Sequence, residues 1–239
     1  MIANEFHGEL IAKLKKLKGE ATKHQKEREI SYVGTKKSSY FIKTEVRACI
    51  VRNFIKKHPD LSFDEFITLL TSLSKGKSHD EISMMGTFLA YLPKYKTKIN
   101  PLTLDHWLDN VEGWAEVDGI CQSKFSADEM LKDWSNWKKL LLKLAKDNNF
   151  HKKRASLVLL TKPIRDSNDS RLKVLAFVLI DALKREKSIL ITKAISWLLR
   201  DLVKYHKREV RKYLELNQNS LPKIAVRETK RKIETGRKN

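Results

Sequence analysis

Residues 78–93 read SHDEISMMGTFLAYLP, and this stretch contains the rules that place the fold. Ser78 and Glu81 make the S-x-x-E pattern, in which a hydroxyl and a carboxylate reciprocally satisfy backbone donors left open at a helix start. Ile82, Met85, Leu89 and Leu92 follow at three-to-four spacing, so they share one helical face. Pro93, which has no N–H and cannot continue the ladder, then stops the helix.

The same grammar recurs along the chain. Ser62 with Glu65 and Ser126 with Glu129 repeat the cap, and Asn100 before Pro101 marks a further start, since proline at the first helical position sacrifices no intrahelical bond. Ile2, Phe6, Leu10, Leu14 and Leu17 form another apolar stripe, within an N-terminal helical region over about residues 1–30. Only eight Gly and five Pro interrupt the pattern, and no segment alternates with period two; Ile189-Leu190-Ile191 sits inside a helical pattern. The predicted fold is all-α.

From Trp114 onward, longer helical patterns begin near 114, 149, 187 and 221, a spacing in the range of helical-pair repeats. The reading is an irregular α-solenoid, two-helix units stacked so that one concave face is offered. A compact, non-repeating helical bundle is the alternative. At 239 residues and 27.9 kDa, a single domain spanning 1–239 is expected.

Charge narrows the partner. Lys and Arg number 49 against 29 Asp and Glu, a formal net charge of +20, and self-repulsion on that scale is usually offset by a polyanion. Nucleic acid comes first and a membrane surface second, with a generally lysine-rich proteome as the bland alternative. From Lys204 to Asn239 there are twelve Lys or Arg against four Glu, including Lys230-Arg231-Lys232 and the Arg237-Lys238 ending. This suits phosphate contact better than a merely solvated face, and the basic tail over about 234–239 is expected to fray.

Several function classes drop out. No apolar run approaches the ~20 residues that cross a bilayer, and the N-terminus lacks a signal-peptide core. A soluble, cytoplasmic protein is expected, nucleoid-associated if the source is prokaryotic, with no membrane partner. Cys49 and Cys121 are far apart and read as small core residues; the seven histidines (7, 24, 58, 79, 106, 151, 206) are scattered. No metal and no cofactor is assigned, and no Walker loop, dinucleotide fingerprint, zinc-protease helix or nucleophile elbow is found.

Trp114 and Asp118 lie at i and i+4, which places an indole and a carboxylate on one helical face. An ordinary boundary tryptophan beside a solvated acid would look the same. Asn149-Phe-His-Lys152-Lys153-Arg154 opens the next pattern with a basic cluster, and Lys193-Ala-Ile-Ser-Trp197-Leu-Leu-Arg200-Asp201 puts another tryptophan one turn from an arginine. Equivalent positions on successive solenoid helices project from the same side, so Trp114, Asp118, Arg154 and Trp197 are expected on one concave surface. Trp107, Trp134 and Trp137 lie on apolar stripes and are expected in the core.

Taken together, Trp114 to Asp118, the block around Arg154-Ala155, Lys193-Ala-Ile-Ser-Trp-Leu-Leu-Arg200 and Leu221-Pro-Lys-Ile-Ala-Val-Arg-Glu-Thr-Lys230 resemble the AlkD-type DNA alkylation repair family. The resemblance runs from about residue 30 to 233, and order and spacing carry it more than any single motif. It implies a HEAT-like repeat solenoid acting as a DNA glycosylase on N3- and N7-alkylated purines. Double-stranded DNA containing alkylated bases would be the partner, bound by a monomer. The match makes Asp118 the catalytic carboxylate, Trp114 and Trp197 the aromatics flanking the lesion, and Arg154 a DNA contact in the site. Lys152, Lys153, Lys193, Arg200, Lys230 and Arg231 are the further DNA-binding candidates. One departure stands out: where the family has a proline-containing segment after a glycine near the N-terminus, this chain has Tyr32-Val-Gly34-Thr-Lys-Lys-Ser-Ser.

The residue types suit that chemistry. An N3- or N7-alkylated purine is cationic and leaves without protonation, building oxocarbenium character on the sugar that a carboxylate stabilises while orienting water. Indole faces favour the cation, and an arginine holds phosphate without reading sequence. A relative without the acid would keep the groove and lose the reaction, so a non-catalytic DNA-binding protein for distorted or branched DNA is the alternative. A protein scaffold comes third, disfavoured by the one-sided charge.

Overall fold

The computed structural model describes residues 2–123 and 125–237, and the side chains of all of these except 2–4, 28 and 29. Ile2 of the N-terminal stripe and Lys238 of the basic ending therefore lie outside the described side chains. The fold is all-α: among the described residues no strand forms, and a single isolated bridge joins Ser38 to Ser78. The chain divides into two compact units, Met1–Ser123 and Lys124–Asn239.

The first unit holds α1 (Ile2–Lys16), α2 (Lys23–Val33), α3 (Thr44–Lys57), α4 (Phe63–Leu73), α5 (His79–Tyr91), α6 (Pro93–Lys96), α7 (Thr103–Trp107) and α8 (Trp114–Cys121). Helix α5 is its hub, packing on α1, α3, α4, α6 and α8. Its stripe is why: Ile82, Met85 and Leu89 are fully buried, and so are Met84 and Phe88. Each such side chain contributes roughly 1.5–3 kcal/mol of burial. The cap holds as read, with Glu81 N–H donating to Ser78 Oγ at 3.2 Å and Ser78 N–H to Glu81 Oε1 at 3.0 Å. Glu81 also meets His7 Nε2 at 2.9 Å, so the cap of α5 ties down α1.

The second unit holds α9 (Ala127–Lys132), α10 (Trp134–Lys146), α11 (Phe150–Asp166), α12 (Ser170–Leu183), α13 (Ile189–Asn217) and α14 (Lys223–Thr235). Helix α11 packs on α13 and α13 on α14, while α12 lies against α10, α11 and α13. At His206 the backbone leaves helical geometry (φ −127°, ψ 35°), so α13 is two helices joined at a kink. The starts read near 114, 149, 187 and 221 correspond to α8, α11 capped by Asn149, α13 and α14.

Some expectations need correction. Cys49 is exposed rather than core, because α3 turns it away from Ile50, Val51 and Phe54. Trp107 is 1% exposed, with its indole N–H donating to Thr71 Oγ1 at 3.0 Å, and Trp137 is buried; Trp134, however, is half-buried, with the Arg171 guanidinium 5.9 Å from its ring. Leu17 lies past the end of α1 and is 47% exposed. Asn100 starts a turn instead of a helix: its Oδ1 accepts from Leu102 N–H at 3.0 Å, and α7 begins only at Thr103.

Candidate nucleic-acid interface

Helix α8 carries the first pair of candidates, and the first unit fixes its place in three ways. A Cβ on Gly86 would stand 2.0 Å from the Gly119 carbonyl oxygen, so the backbones of α5 and α8 touch where only glycine fits. The fully buried Glu116 carboxylate reaches His79 Nδ1 at 3.1 Å and accepts from Glu112 N–H at 3.0 Å, bracing α8 on α5. Gly113, the residue before α8, lies under the end of α2, where a Cβ would come 2.5 Å from the Val33 carbonyl oxygen. Helix α2 ends there on Gly34, whose φ of 75° is the left-handed conformation that closes a helix.

Trp114 opens α8 and is half-buried. Its indole N–H donates to the Tyr32 carbonyl, and the two rings meet edge to face at 5.4 Å and 86°. Tyr32 is 69% exposed, which makes it the outer edge of an aromatic ledge. Asp118, one turn on and half-buried, shares the Trp114 face of α8. The Tyr32 segment, identified in the sequence only as a departure from the family pattern, thus supplies the ledge's second ring.

In the second unit the candidates separate into buried and exposed sets. Arg154 is 5% exposed and donates from Nη1 to the Leu190 carbonyl at 2.6 Å, joining α11 to the first turn of α13. Lys152 is 6% exposed, 3.6 Å from Asp147, and Lys153 pairs with Glu186 at 2.6 Å. Arg200 is buried, donating to the Ser196 carbonyl at 3.1 Å and lying 3.3 Å from Glu228 on α14. Lys193, Lys230 and Arg231 are exposed, and Trp197 is half-buried.

Trp197 and Asp201 repeat the spacing of Trp114 and Asp118, a correspondence visible in the sequence and left unused there. The two pairs differ in their surroundings. Burial pushes the Asp201 carboxyl up to about 6, although Arg165, Arg200, Lys232 and the Trp197 indole pull it down. In the first unit the indole N–H goes to Tyr32.

The chain is thus all-helical and strongly basic, and it carries two half-buried tryptophan–aspartate pairs. The particular family follows from comparison: the model of the DNA alkylation repair enzyme family matches residues 12–233, and this chain belongs to that family. The match reaches further toward the N-terminus than the motifs do and takes in the C-terminal end of α1. Membership makes DNA the partner and repair of alkylation damage the role. Among solved structures, a predicted DNA alkylation repair enzyme from Enterococcus faecalis has a similar fold. Its TM-score is 0.71 at 13% identity, covering 89% of this chain and 96% of that one. No curated protein matches.

Proposed function

We propose that the chain is a monofunctional DNA glycosylase that releases N3- and N7-alkylated purines from double-stranded DNA, acting as a monomer on a HEAT-like scaffold. The observation that carries this reading is the position of Asp118 one turn beyond Trp114, on a helix that the Gly86 contact and Glu116 hold in place. Preorganisation of this kind is what electrostatic stabilisation of a sugar cation requires, since a carboxylate that must first be positioned stabilises the transition state less. The Trp114 and Tyr32 rings beside it offer π-faces to a cationic base.

The reading assigns Trp197 to the lesion's surroundings and Lys193, Lys230 and Arg231 to phosphates. The inward bonds of Arg154, Lys152, Lys153 and Arg200 support a role in shaping the DNA-facing helices, with Arg154 setting the start of α13. Free cationic leaving groups need no general acid, so neutral lesions such as hypoxanthine should resist excision.

Single-turnover release of N7-methylguanine by wild type and Asp118→Asn tests the proposal. The sugar is cationic only in the transition state, so the variant should lose on the order of a hundredfold or more in rate. Affinity for undamaged DNA should hold or rise slightly. Equal rates would remove Asp118 from the mechanism, and no excision by wild type would leave a non-catalytic DNA-binding protein.

A further inference from the structure

A cleft of about 520 Å³ opens in the second unit between the C-terminal end of α11, the middle of α13 and the C-terminal end of α14. We propose that this cleft is a phosphate-binding site in which Arg165, Lys204, Lys207 and Lys232 hold the anion while Asp201 at its wall takes up a proton from solvent. It is distinct from the Trp114 and Asp118 pair and does not depend on glycosylase activity.

Charge is the first argument. The lining brings Arg165 from α11, Arg200, Lys204 and Lys207 from α13 and Lys232 from α14 against only Asp201 and Glu234. Arg200 is committed to Ser196 and Glu228 and supplies field more than contact. Lys204 donates to the Arg165 carbonyl at 2.7 Å and Lys232 to the Gly236 carbonyl at 2.6 Å. Those bonds offset the negative ends of α11 and α14, which would otherwise repel an anion. Each ammonium has three donors and spends one there. Lys207 is exposed at the mouth.

Asp201 is the second argument. Its Oδ2 is buried and accepts no hydrogen bond from any described residue, with Arg165 Nε at 3.6 Å, beyond hydrogen-bond reach. A bare carboxylate oxygen is ill suited to that place, whereas a protonated one becomes an O–H donor that a phosphate oxygen satisfies. An anion arriving beside the carboxyl raises its proton affinity further, so anion and proton bind together. Burial already holds this carboxyl where it titrates near neutrality, against the cations around it.

Sulfate is the probe, because its charge is constant across the range in which Asp201 titrates. Titrating the full chain at fixed ionic strength should show binding several-fold tighter at about pH 5 than at about pH 8. Asp201→Asn should bind at the tighter level at both pH values, and Lys207→Glu should weaken binding at both. A duplex arm identifies the source of the phosphate: if Lys207→Ala lowers the salt slope of undamaged-DNA binding by about one, the site takes a backbone phosphate. An unchanged slope in that variant, while wild type binds sulfate, assigns it to a free phosphate. The site is overturned if Lys207→Glu leaves sulfate affinity intact, or if wild type and Asp201→Asn respond equally to pH. Because Lys207 is exposed, its variants decide the matter even if Asp201→Asn fails to fold, and none of these readouts involves base excision.

Discussion

Gly86 shows how much can rest on a single absent side chain. In an exposed helix an alanine would be worth up to ~1 kcal/mol more than glycine. Here its methyl would enter the Gly119 carbonyl, at 2.0 Å, with the Gly119 carbon at 2.6 Å. Gly86→Ala is therefore expected to destabilise the first unit by about 1–3 kcal/mol of overpacking and to push α8 outward. Thermal unfolding reads the first effect, and single-turnover excision, which should fall through displacement of Asp118, reads the second. Arg154 teaches the complementary lesson. Its type and place in a basic cluster suggested a DNA contact; in the fold it is buried and donates to the Leu190 carbonyl. Arg154→Ala should thus lower stability by about 1.5–3 kcal/mol, through loss of a buried hydrogen bond from a charged group that ties α11 to α13. A variant with unchanged melting temperature and weakened DNA binding would restore the direct contact.

Among the elements, α13 has the least ordinary electrostatics. Two of its groups titrate in opposite senses. Burial lowers the His206 imidazole at the kink, aided by Lys173 and opposed by Glu209. Burial raises Asp201 to about 6, opposed by Arg165, Arg200, Lys232 and the Trp197 indole. A carboxyl raised on folding contributes stability that is complete below its unfolded value near 4 and is lost as pH rises through about 6. Asp201→Asn removes that loss and keeps the side chain's shape. The variant should match wild type near pH 4 and exceed it by on the order of 1–3 kcal/mol above about pH 7. Denaturant unfolding across pH measures the difference, in which the common His206 contribution cancels. Equal stabilities at high pH would mean that the carboxylate is better solvated than its surroundings indicate.

For the whole molecule the governing quantity is the net charge of +20. A protein with that surplus, belonging to a DNA repair family, should bind undamaged duplex chiefly through phosphates, so its affinity should fall steeply with salt and vary little with sequence. A binding series from low to moderate salt is expected to give a log–log slope of several units, at about 0.9 per phosphate contacted. A flat response would contradict DNA as the partner. Among the described residues no helix is long and apolar enough to cross a membrane, and no cluster of His, Cys, Asp and Glu is placed to hold a metal ion.

The sequence by itself determined the all-α class, most helix starts and the charge that favours a polyanion. Capping at Ser62, Ser78 and Ser126 is set by residues three apart, and the α5 stripe by residues three and four apart, so local chemistry suffices for both. Charge is a sum over composition and needs no fold. The sequence also put Trp114 and Asp118 on one face, because a single helical turn separates them. Only tertiary structure decided which polar groups remain for a ligand. Arg154 and Lys193 look alike in a sequence, yet one meets a carbonyl thirty-six residues away and the other is exposed. The Trp197–Asp201 pair has the spacing of Trp114–Asp118, yet Arg165 from α11 and Lys232 from α14 give it a different environment. Such partners are distant in the chain, and burial and long-range pairing, which fix where a charge is spent, leave no periodic trace in the residues themselves.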